Sequence, residues 1–76
     1  MARSEVKSEI SGRVWKVETQ VGNRVAADDT ILVVESMKME IPISAPTAGR
    51  IAEIRVAEKD LVEEGQIVAV LDADDR

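Results

Sequence analysis

Lys38 stands between two methionines in the run Val33-Val34-Glu35-Ser36-Met37-Lys38-Met39-Glu40-Ile41, and it is the residue around which chemistry can be argued. A lysine ε-amine can attack an activated acyl group. With an ordinary pKa of about 10.4, however, such an amine is protonated at neutral pH and needs help to lose its proton. Other sources of reactivity are scarce. The chain has no histidine and no cysteine, which removes imidazole acid–base catalysis, thiol nucleophiles and thiolate metal sites. Ser36 beside Glu35 suggests a small hydrolase only until the missing histidine and the lack of room for a pocket are considered, so no catalytic residue is assigned. Glu58, Asp60, Glu63 and Glu64 read as a solvated turn, and no metal is expected. Met37-Lys38-Met39 alone is weak evidence, because such a tripeptide occurs readily on a solvated strand face. Its weight depends on where the chain places it.

A chain of 76 residues is read as one small domain, 1–76, of a size that buries only about 60% of the surface exposed by its unfolded state. The net charge is −5, with basic residues scattered singly among acidic ones. No stripe follows a phosphate backbone, so nucleic acid is not an expected partner. Neither a signal-peptide core nor a spanning apolar run occurs. The expectation is therefore a cytoplasmic protein without a membrane partner.

Short runs set apolar residues among polar ones, as at Val14 and Val17 or at Ile51, Ile54 and Val56, the last two at period two, and helix-spaced stripes of useful length are missing. With abundant Val and Ile, this reads as all-β. The chain also repeats itself. Gly12-Arg13-Val14 returns as Gly49-Arg50-Ile51, an offset of 37 residues from 12 to 49, and the register holds without gaps: Val17 meets Ile54, Val25 meets Val62, Val33 meets Val70 and Glu35 meets Asp72. Gly22 faces Lys59 and Asp28 faces Gly65, so the halves have exchanged which turn carries glycine; either place would suit a positive φ.

Two half-repeats, about 5–37 and 42–74, are each too small to bury an apolar face. They are expected to pack as two antiparallel sheets around a shared core with pseudo-twofold symmetry, a flattened β-barrel or sandwich. Strands are expected at about 5–10, 12–19, 30–36, 39–44, 49–57 and 67–72, with short pairings near 24–26 and 61–63. Trp15, the sole aromatic, is expected in the core or at an edge, and the charged tail 72–76 is expected to fray. Lys38 falls at the seam between the halves, which should be a hairpin tip. Turn chemistry would not have placed one there, since the stretch lacks Asn-Gly, Asp-Gly and Gly-X.

With Met37-Lys38-Met39 at that seam, and with Gly12, Ala45-Pro46 followed by Gly49, and Gly65 in place, nearly the whole chain resembles the biotinyl/lipoyl attachment domains, specifically the biotin carboxyl carriers. The resemblance implies a barrel-sandwich hybrid, or hammerhead, of two four-stranded sheets. It implies covalent biotin on Lys38, attached by a biotin protein ligase, with Met37, Met39, Ser36, Glu35 and Glu40 recognised around the hairpin. It further implies a non-catalytic carrier that serves a biotin carboxylase and then a carboxyltransferase, as a monomeric domain. Ser36 stands where the family usually has Ala, and the gap-free repeat leaves no protruding thumb in the first half. Lipoate on Lys38, in place of biotin or accepted alongside it, is the alternative; lipoyl domains commonly carry Asp before the lysine and Ala after it, so methionine on both sides favours biotin. An unmodified docking module is the other alternative, against which an intact Lys38 speaks.

Overall fold

The alternation read along residues 12–17 is realised as a strand whose Val14 is buried while Arg13 and Lys16 face solvent. The structure, a computed structural model, describes residues 2–73. In chain order the strands are β1 (Ala2–Lys7), β2 (Gly12–Val17), β3 (Arg24–Val25), β4 (Thr30–Ser36), β5 (Met39–Ser44), β6 (Gly49–Ile54), β7 (Leu61–Val62) and β8 (Ile67–Ala73). They form two four-stranded sheets, ordered β1-β8-β6-β3 and β5-β4-β2-β7, with antiparallel pairing throughout. Among the described residues there is no helix, and hence none long and apolar enough to cross a membrane.

Each sheet takes two strands from each half of the chain, so the repeat is interleaved. The backbone duplicates as well. Gly22 N–H donates to Ile51 O and Lys59 N–H to Val14 O, both at 2.8 Å. Asp28 N–H donates to Ala45 O at 2.9 Å and Gly65 N–H to Ser8 O at 2.8 Å. Ala26 N–H donates to Asp29 Oδ2 at 2.9 Å and Glu63 N–H to Gln66 Oε1 at 3.0 Å. Within each pair, one bond is the other moved by the offset seen in the sequence. The traded glycines fall where expected: φ is +95° at Gly22 and +78° at Lys59, +73° at Asp28 and +87° at Gly65.

Between the sheets lies an aliphatic core. Val14, Ile31, Leu32, Val34, Ile51, Val68 and Leu71 are fully buried, with Val6, Ile43 and Val62 close behind. At these sizes each side chain contributes roughly 1.5–3 kcal/mol by leaving water.

Two sequence expectations need correction and a third is narrowed. The first strand runs over 2–7 rather than 5–10, because Ser8 ends it: its buried hydroxyl donates to Ile10 O at 2.6 Å, a local bond that competes with the ladder. Trp15 is not in the core. It lies in the bulge between Val14 and Lys16, past the end of β7, which pairs only with Gly12 and Arg13, and the extra residue leaves it half in solvent. Of the tail, Asp72 and Ala73 are paired in β8 with Arg3 and Ala2; 74–76 lie outside the described residues.

The outer surface of the first sheet carries an ion-pair cluster in which Arg55 Nε meets Glu53 at 3.0 Å, and Arg3 meets Glu53 at 3.2 Å and Asp72 at 3.3 Å. The Arg55 guanidinium, by hydrogen bond and charge, holds the Glu53 carboxyl below the usual carboxylate range, and Arg3 adds to this. A depressed folded-state pKa stabilises the fold above the unfolded pKa, and that contribution is lost as pH falls through the folded value. Glu53→Gln should therefore be slightly less stable than the parent at neutral pH. The gap should close in acid, as read from urea midpoints across that range; exposure keeps the whole effect small.

Candidate functional site

β4 and β5 form a hairpin whose register pairs Leu32 with Ile43, Val34 with Ile41, Glu35 with Glu40 and Ser36 with Met39. Its foot is anchored, since Leu32, Val34 and Ile43 belong to the buried core. Its tip is the two-residue loop Met37-Lys38, with φ of +52° and +66°. Two consecutive left-handed residues are the mark of a type I′ turn, the form whose twist matches the strands it joins. The seam is thus a hairpin tip, as the repeat indicated, built from residues that such turns do not prefer.

Lys38 is exposed, Met37 is 91% exposed and Met39 is 64% exposed. For methionine this is unusual, because large apolar side chains are ordinarily taken into a core. Glu35 and Glu40 face solvent directly opposite one another, a like-charge pair that costs a few tenths of a kcal/mol in an antiparallel sheet. Ser36 is half-buried at the base of the tip. The structure thus brings together all six residues singled out in the sequence, and the exposure of the tip leaves the Lys38 amine open to an acyl group as long as a biotinyl or lipoyl chain.

One requirement was not legible beforehand. A Cβ on Gly12 would run into the backbone carbonyl of Glu35 and come within 2.8 Å of Val34 Cγ1, so the strand carrying the hairpin sits directly against Gly12. Gly49 faces Asp72 and Ala73 in the same way. The sequence marked both glycines by the repeat; their reason, contact between backbones, is tertiary.

A rigid two-sheet body that displays one lysine on a short hairpin defines a carrier-type display domain. The profile of the biotin/lipoyl family, described as "Biotin-requiring enzyme", matches residues 4–71, and the chain belongs to that family. It is 36% identical over 66 residues to the biotin/lipoyl attachment protein of Bacillus subtilis, covering 87% of this chain and 90% of that protein. It is 34% identical over 67 residues to the biotinylated protein TB7.3 homolog of Mycobacterium leprae, covering 88% and 94%. It is 45% identical over 67 residues to the urea amidolyase of Saccharomyces cerevisiae, where those residues make up 88% of this chain but only 4% of the relative. Among solved structures, the urea carboxylase of Kluyveromyces lactis superposes with a TM-score of 0.88 at 35% identity, over 93% of this chain and 6% of that one.

Proposed function

We propose that the chain is a biotin carboxyl carrier in which Lys38 is the residue biotinylated by a biotin protein ligase. The observation that carries this reading is Lys38 held at the outermost turn of a core-anchored hairpin between two exposed methionines. The Bacillus relative's name covers biotin and lipoate alike, whereas the Mycobacterium relative is named as biotinylated, which supports biotin here. When attached, biotin would supply the ureido group that carries carboxylate between a biotin carboxylase and a carboxyltransferase. Lys38 provides the amide anchor, and the two-sheet body fixes where that anchor sits. Acylation removes the lysine charge, leaving a long apolar tether between the two exposed methionines. The chain contributes no acid, base or nucleophile to the carboxylation itself; its contribution is effective concentration, on the order of millimolar for a short tether. We place this work in the cytoplasm.

Met37 and Met39 give the ligase an adaptable apolar grip on either side of the amine. Met37→Leu and Met39→Leu are each expected to slow biotin incorporation several-fold while leaving the thermal midpoint unchanged, because neither side chain is part of the core. Parallel ligation time courses and melting curves check this, and a fall in midpoint would make them packing residues instead.

The deciding experiment is the intact mass of protein purified from cells with an active biotin ligase, with peptide mapping. One biotinyl group on the peptide containing Lys38 is expected. A lipoyl group there would move the chain to a lipoyl carrier, and an unmodified chain under conditions that modify a known carrier would overturn the proposal.

A further inference from the structure

The sulfur chemistry of this chain is concentrated at its tip. The sequence has three methionines and no cysteine, so its sulfur atoms are those of Met37, Met39 and Met1, the last outside the described residues. The core is built from Val, Ile, Leu and Ala. An oxidant therefore meets no thiol on this protein, and the thioethers it does meet in the folded body flank Lys38 and are 91% and 64% exposed. We infer that Met37 and Met39 form a reversible oxidation site that controls whether Lys38 accepts its group. This rests on the carrier reading above.

The step is an oxygen-atom transfer from hydrogen peroxide. The sulfur lone pair attacks one peroxide oxygen, the O–O bond breaks, sulfur is oxidised by two electrons to the sulfoxide, and the other oxygen leaves as water. The product is polar and chiral where the thioether was apolar and pliable. A ligase that grips the tip through two apolar side chains would then meet two strong hydrogen-bond acceptors beside the amine. The fold is untouched, because neither sulfur supports the core, and a methionine sulfoxide reductase can restore the tip. The effect is thus a switch on loading, separate from folding.

The test uses the full unmodified chain, treated with hydrogen peroxide until peptide mapping finds one added oxygen on each of Met37 and Met39. Biotin incorporation by a purified ligase is then followed by mass. The oxidised chain is expected to load at least about tenfold more slowly, with an unchanged melting midpoint, and to recover after treatment with methionine sulfoxide reductases. Equal rates before and after oxidation would overturn the inference. So would a loss that reductase does not restore, which would assign the damage to a group other than Met37 and Met39, such as the half-exposed Trp15. Failure of the untreated chain to load where a known carrier does would instead sink the carrier reading, and the switch with it.

Discussion

Lys38→Arg is expected to abolish biotin incorporation completely while the domain stays folded. Arginine preserves length and positive charge, but its guanidinium does not deprotonate in proteins and cannot serve as the acyl acceptor. Lys38→Gly should lose modification equally and, unlike the arginine variant, become more stable. Lys38 holds a φ of +66°, a left-handed conformation that costs an L-residue about 1–2 kcal/mol. Glycine relieves that strain but gains about 0.4–1 kcal/mol of freedom in the unfolded chain. The net gain is about 0.5–1 kcal/mol, or a rise of roughly 4 °C in Tm for a domain of this size. Mass spectrometry and thermal melts of the two variants check both halves. Residual loading of Lys38→Arg would place the acceptor at another lysine, and a glycine variant no more stable than the parent would mean the tip is unstrained.

Gly49→Ala and Gly12→Ala are expected to destabilise the fold by about 3 kcal/mol each, at the upper end for overpacking, because the added methyl meets backbone rather than a side chain that could rotate away. For a small domain near the low end of about 5–15 kcal/mol of total stability, that is a large share. The two should differ in function. Gly12 abuts Glu35 in the strand that carries the hairpin, whereas Gly49 abuts the distant β8. At equal loss of urea stability, Gly12→Ala should slow Lys38 modification more. Matching effects on loading would mean that the hairpin is insensitive to the seating of β4.

What could be read in advance depended on which signals were local. The offset of Gly12 against Gly49 was visible in residue order, and with it came two sheets, the seam at Lys38 and the positive φ at Lys59 and Asp28, where no glycine marks it. Two other features are tertiary. Ser8 continues the alternation of Val6 and Ile10, and only its hydrogen bond to Ile10 O ends the strand there. Trp15 looks like a core aromatic until the register shift beside it is known. The tip itself went against turn preference. A hairpin built for stability would carry Asn-Gly; this one carries Met-Lys and accepts strain at the positions that reach outward.

Ala2 pairs with Ala73, and Ser36 pairs with Met39, positions equivalent under the internal offset. β1 runs from the Ala2–Ala73 pairing to Lys7, and only afterwards does the chain reach Gly12 beside the hairpin strand, so the two pairings lie at opposite ends of a body 38 Å long. The molecule therefore has a handle and a working end. Held to a surface, a bead or a larger polypeptide through either Ala2 or Ala73, it points Lys38 away from the support, and any such attachment gives a lysine that is leashed from behind and unobstructed in front.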